Sequence, residues 1–142
     1  VVLLVLGFVF GQIAEQRHYR SIIEREKATL MMPVMTLKTV PPQLIHCHTQ
    51  LVSGSIVVSI DFFKMFVSGL KSLFGGRLRS YESLLDRARR EAILRMKETA
   101  QQGNAKLIIN VRIETSSINK FSGRRQGVGS VEVVAYGTAI SV

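Results

Sequence analysis

The chain has 142 residues, with 19 Lys and Arg against 10 Asp and Glu, a formal net charge of +9 and a single cysteine, Cys47. That length accommodates one domain with a modest core plus an appendage, and the lone thiol excludes an intramolecular disulfide framework and fits a reducing compartment. The positive balance favours an anionic partner such as phospholipid, nucleic acid or an acidic protein, while a mean hydropathy of +0.22 is high for a chain with 20% charged residues.

The apolar excess sits at the front. Residues 1–10 read VVLLVLGFVF, and no charge appears before Glu15. As a helix, residues 1–14 reach about 21 Å, short of the ~30 Å hydrocarbon layer. The sequence opens on Val in the middle of an apolar run, which reads as the exit half of a membrane helix rather than a signal peptide or a core helix. Gly11-Gln12-Ile13-Ala14 makes a poor cleavage site. Arg17, His18, Arg20, Arg25 and Lys27 follow, and positive charge flanking the exit places the main domain on the cytoplasmic side of a cell (inner) membrane. With no Gly or Pro between Glu15 and Ala28, the anchor and a juxtamembrane helix form one rod over residues 1–32, ending before Pro33. Residues 33–43, with Pro41-Pro42, read as a stiff linker.

The body, residues 44–142, begins with two Val/Ile-rich strands at 44–49 and 51–60, with Gly54 a bulge or a point of close approach. Residues 61–74 switch to helical spacing, with Phe62, Phe66, Leu70 and Leu73 on an apolar face. Ser59 or Asp61 can cap that helix, and Gly75-Gly76 end it. A second helix is predicted over 81–102, capped by Ser80 and stopped by Gly103, burying Tyr81, Leu85, Ala88, Ala92, Met96 and Ala100. Asp86/Arg90 and Glu91/Arg95 stand in the favoured acid-first i,i+4 order on its outer side. Residues 106–115 alternate, placing Leu107, Ile109, Val111 and Ile113 on one face; 116–129 read as a polar loop. The last strand, 130–142, sets Val131, Val133, Ala135 and Ala139 on one face and Val134, Tyr136 and Ile140 on the other. The pattern predicts an α+β fold, a mostly antiparallel sheet packed with two helices and preceded by the membrane-anchoring helix. Apolar residues on both faces of the last strand, together with Phe62 and Phe66, point to subunit contacts through Phe62, Phe66, Tyr136 and Ile140.

Three stretches resemble the YbjQ-like family: Ser59-Ile60-Asp61-Phe62-Phe63-Lys64 leading to Gly75-Gly76-Arg77 and Ser80-Tyr81-Glu82; the arginine-bearing helix ending Gln102-Gly103-Asn104-Ala105 before a Val/Ile strand; and the closing Val133-Val134-Ala135-Tyr136-Gly137-Thr138-Ala139. The resemblance covers residues 36–142. It implies a small α+β subunit that assembles into a homo-oligomeric ring, a pentamer or larger, and it brings the label of a heavy-metal-binding domain. Arg79, Asn104 and the basic 123–126 loop depart from the family pattern.

His46-Cys47-His48 is the one place where metal-type ligands lie close together. On a strand, His46 and His48 would share a face about 7 Å apart, and a metal would still need donors from elsewhere. Gly75-Gly76-Arg77-Leu78-Arg79 could hold an anion between backbone amides and the Arg77 and Arg79 guanidiniums, although it lacks the Gly-Lys-Ser/Thr ending of a phosphate loop. A helix–helix turn with solvated arginines is the simpler reading. No aromatic residues are interleaved with Arg87, Arg89, Arg90 and Arg95, so nucleic acid is not expected as a partner. With no G-x-S-x-G and with acids mostly on helix exteriors, no enzyme is expected and no cofactor beyond a metal ion. The expected role is a membrane-anchored, ring-forming assembly protein; the alternative is a metal- or anion-binding module of the same ring.

Overall fold

A computed structural model describes residues 2–59, 77–119 and 129–141. The predicted helix at 61–74, with Phe62 and Phe66, lies outside them. The chain divides into two compact units at Met31/Met32.

The first unit is helix α1, Val2–Ala28. It ends a few residues before Pro33, as the proline predicts, in a turn where the Thr29 hydroxyl donates to the Arg25 carbonyl at 2.9 Å. No helix among the described residues is long and apolar enough to cross a membrane. Along α1 the apolar stretch gives way to charge at Glu15.

The second unit holds a three-stranded antiparallel sheet of β1 (His48–Ser59), β2 (Leu107–Asn119) and β3 (Gly129–Ser141), in the order β1-β3-β2. Helix α2, Arg77–Gln102, packs on one face. Alternation along the strands selects that face. Val52, Ile56 and Val58 of β1 lie beside Val133, Val131, Ala135 and Ala139 of β3. Against them α2 sets Leu85, Ala88, Ala92, Met96 and Ala100, the stripe that the 3.6-residue period predicts. Ala92 and Met96 are completely buried.

The small residues of that stripe bring α2 close to the sheet, and Gly54 makes the approach possible. A Cβ there would collide with the Ala92 carbonyl and the Met96 amide, and would stand 2.7 Å from Arg95 Cβ. The glycine is therefore a close-approach residue and not a bulge.

At its C-terminus α2 closes with a Schellman motif. The Ala105 amide donates to Ala100 O at 3.0 Å and the Asn104 amide to Gln101 O at 3.0 Å. Asn104 takes the left-handed conformation at φ 55°. Ala100 and Ala105, the apolar pair that accompanies the motif, are both buried. Gly103 is thus the last half-helical residue, and Asn104 carries the reversal. The start of α2 differs from expectation: the helix begins at Arg77, so Ser80 lies inside its first turn and is not the cap.

Three further elements depart from the sequence reading. Residues 44–49 are not a strand. Pro41 and Pro42 start a single 3-10 turn over Pro42–Leu44, the Cys47 amide donates to Leu44 O at 3.1 Å, and one strand runs from His48 to Ser59. Strand β2 continues to Asn119 and takes the first part of the expected loop. Its alternation is also broken, because Asn110 adopts φ 51° where the register shifts between Ile109 and Arg112. Ile108 pairs with Ala139 and Ile113 with Ala135, while Ile109 pairs with Thr138. Ile109 and Ile113 therefore lie on opposite faces, as a bulge requires.

The 33–43 segment is more than a linker. Its first residues run parallel to the start of β2, with Val34 bridging Ile108. The Ile108 amide donates to Pro33 O (3.0 Å), the Met35 amide to Ile108 O (2.9 Å), the Val111 amide to Met35 O (3.1 Å) and the Asn110 amide to Leu37 O (2.8 Å).

Candidate functional site

The β1-β3-β2 order leaves two edge strands, and edges expose backbone groups that must be covered or that invite another strand. Edge strand β1 is covered by α2. Arg95 Nη1 donates to Ser55 O at 2.8 Å, and Thr99 Oγ1 lies 3.4 Å from Ser53 O. Arg95 is held for this by Glu91, whose Oε1 accepts from Nε at 3.0 Å. Glu91 is 4% exposed on the side turned to the strand, so this pair is more than the outer-face decoration that its spacing suggests.

The β2 edge is treated unequally. Along 108–111 it is closed by residues 33–37. From Arg112 to Ser117 every residue is exposed on both faces, and no backbone partner other than β3 appears among the described residues. Ile113 lies in this half and is 39% exposed, on the same face as α2 but beyond its cover.

On the sheet face turned away from α2, the central rows carry mostly exposed side chains. Ser53, Tyr136 and Arg112 form one cross-strand row, Ser55, Val134 and Glu114 the next. Leu51 and Val57 flank them at 74% and 58% exposure. Apolar and charged side chains together make a mixed surface that continues onto residues 112–117 of β2. It is suited to protein contact by side-chain packing and, at its edge, by backbone pairing.

The residues singled out from sequence fall in different places. Tyr136 is half-buried in the middle of that face. Ile140 shares its parity but is completely buried, so of the two only Tyr136 offers surface to a partner. Arg77 and Arg79 open α2; the two glycines expected to cradle an anion with them lie outside the described residues. His46 stands in the turn before β1 and His48 at its first residue, both exposed, with half-buried Cys47 between them. They do not share a strand face, because His46 precedes the strand. Leu51, Ile113 and the 33–37 pairing escaped the sequence reading. Leu51 carried a signal: it is the large apolar residue on the parity of β1 otherwise marked by Ser53 and Ser55.

As a resident metal centre, His46, Cys47 and His48 do not suffice. Among the described residues no group of three or more His, Cys, Asp or Glu is placed to hold an ion, and a stable site for a soft metal takes about four such donors.

The architecture defines a class: a two-layer α+β subunit in which one long helix covers one face of an antiparallel β1-β3-β2 sheet. The chain belongs to the YbjQ family, whose model, described as "Putative heavy-metal-binding", matches residues 32–142. Relatives include a UPF0145 protein of Hahella chejuensis, 40% identical over 109 residues, or 77% of this chain and 97% of the relative. A UPF0145 protein of Vibrio parahaemolyticus is 36% identical over 107 residues, 75% of this chain and 94% of the relative. One from Methanosarcina acetivorans is 33% identical over 111 residues, 78% and 97%. The family match begins where the second compact unit begins, and α1 lies outside it.

Proposed function

We propose that this chain is a non-catalytic, homo-oligomeric assembly protein, attached to the cytoplasmic face of a cell membrane through α1. The observation that carries the assembly reading is the open flank of the sheet. Residues 112–117 are exposed on both faces at an edge that no described residue outside β3 pairs with, and they adjoin a face bearing Leu51, Val57 and Tyr136. In an isolated subunit such an edge is a hazard that proteins blunt or cover. The β1 edge and the first half of the β2 edge are covered within the chain, so a second copy is the natural cover for the remainder. With the open edge of one copy set against the Leu51–Tyr136 face of the next, the contact is heterologous, and it forms a ring where the rotation between copies closes. The placement beside a membrane is supported by the charge-free start of α1 and the arginines that follow it.

Mass measurement of the full chain in mild detergent tests this. Particles at a multiple of 15.8 kDa are expected. Ile113→Glu and Tyr136→Asp should dissociate them while circular dichroism stays unchanged. A monomeric wild-type chain would sink the reading.

The alternative is a metal module of the same ring, and the exposure of both His46 and His48 favours it. It would draw its missing donors from a neighbouring copy. Zinc or copper bound only by the oligomer, and lost in a His46→Ala/His48→Ala variant, would select it. An anion held by Arg77 and Arg79 is a further form of this alternative, tested by phosphate titration of an Arg77→Gln/Arg79→Gln variant.

A further inference from the structure

Among the described side chains in the first half of helix α1, the exposed large apolar residues fall in one row. Leu6, Val9, Phe10 and Ile13 are 46%, 43%, 67% and 41% exposed. Their spacing of i, i+3, i+4 and i+7 places them on one side of the helix. Carried forward at about 100° per residue, the same side bears Arg17 and then Arg20, both exposed. The first acid, Glu15, falls on the opposite side. Between Leu6 and Arg20 a single helix face therefore changes from apolar to cationic, and Glu24 follows one turn later. From Leu6 to Ile13 it advances about 10 Å, and from Ile13 to Arg20 about another 10 Å.

That sequence of layers is the profile of one leaflet edge, acyl chains followed by phosphates. A second copy of α1 does not match it as well: a parallel partner would set Arg17 and Arg20 against their own counterparts, at a cost in like-charge repulsion. The net charge of +9 on the whole chain acts in the same direction.

We propose that this face of α1 is a recognition surface for anionic phospholipid, with Leu6, Val9, Phe10 and Ile13 seated among acyl chains and Arg17 and Arg20 on headgroup phosphates. This rests on the membrane-attached reading above and adds to it a lipid class and the side chains that select it. Free inorganic phosphate is not its ligand, because the arginines reach phosphate only where the apolar row is immersed.

The test is co-flotation of the full chain with phosphatidylcholine vesicles, with and without phosphatidylglycerol. Wild type should bind the anionic vesicles roughly tenfold to thirtyfold more tightly, as two arginines at a charged surface supply. Arg17→Glu/Arg20→Glu should abolish the preference but keep binding to neutral vesicles. Phe10→Asp/Ile13→Asp should weaken binding to both. Added phosphate should not compete, and raised salt should erase the difference between vesicle types.

Equal binding of wild type to both vesicles, or an Arg17→Glu/Arg20→Glu variant that keeps the preference, overturns the proposal. So does disulfide trapping of α1 to α1 through Phe10→Cys with no vesicle binding, which would make a second copy the occupant. Particle mass in detergent keeps the two readings apart. An oligomer without lipid preference defeats only this inference, and a monomer that retains the preference defeats only the assembly reading.

Discussion

Replacing Gly54 by alanine tests the architecture at its tightest point. The added Cβ would overlap the Ala92 carbonyl and the Met96 amide, and would stand 2.7 Å from Arg95 Cβ. Two of the three obstacles are helix backbone, which no rotamer change can move, so α2 must lift from β1. Lifting it loosens Ala92 and Met96, both fully buried, and carries Arg95 away from Ser55 O. Overpacking of this kind costs about 1–3 kcal/mol and occasionally more. The lost Arg95 contact adds well under 1 kcal/mol, because that side chain is about half exposed. The smaller entropy of an unfolded alanine chain returns about 0.4–1 kcal/mol. A net loss of about 1–3 kcal/mol is expected, or a fall in Tm on the order of 5–10 °C for a body of this size. Thermal and urea unfolding of the variant would measure it beside Ser53→Ala, a neighbouring exposed position where the change should stay within about 0.5 kcal/mol. A Gly54→Ala protein as stable as Ser53→Ala would refute the close packing of α2 on β1.

Other outcomes follow from the same packing. Gly137→Ala places a Cβ 2.9 Å from Ile108 Cγ2 and Val111 Cγ2 and 3.0 Å from Ile109 O; two of these are side-chain ends that can yield, so a smaller loss of about 1–2 kcal/mol is expected by urea titration. Met96→Ala, at a fully buried position, should cost about 2–5 kcal/mol by the same assay. At Asn104, with φ 55°, a valine should destabilise by about 1–2 kcal/mol and a glycine should be neutral or slightly stabilising; equal effects would mean that the left-handed C-terminal turn of α2 is absent. If the metal reading is correct, metal analysis of the purified oligomer will find bound zinc or copper that chelators remove, with loss of assembly or of Tm.

How much could be read in advance depended on whether local pattern and tertiary context agreed. The α2 stripe and the alternation of β3 were legible because long periodic segments carry their own signal: Ala88, Ala92, Met96 and Ala100 on one, Val131, Val133, Ala135 and Ala139 on the other. Strand β2 was misphased by Asn110. A single residue at positive φ inverts the faces of all that follow, and asparagine gives little warning of it. Residues 33–37 looked like a tether because their pairing is with a strand some seventy positions away, and a five-residue stretch beginning with proline has no period of its own. The β-branched and apolar neighbours of His46 favour a strand there, whereas Pro41-Pro42 start a turn that absorbs it. The open flank is half visible in the sequence: Tyr136 stands out as a contact residue and Leu51 on a serine-marked strand face carries a signal, but Ile113 is recognised only once the reach of α2 is known.

The pairing of residues 33–37 with β2 also has a mechanical side. This stretch is the covalent connection between α1 and the body. Because it runs parallel to β2, tension along it bears on the amide and carbonyl partners of Ile108, Asn110 and Val111 together, in shear, and does not peel them one by one. Under the proposed membrane attachment, a subunit held in this way should resist extraction by more than its modest core alone would suggest. The grip would be set by the short segment that resembles a linker.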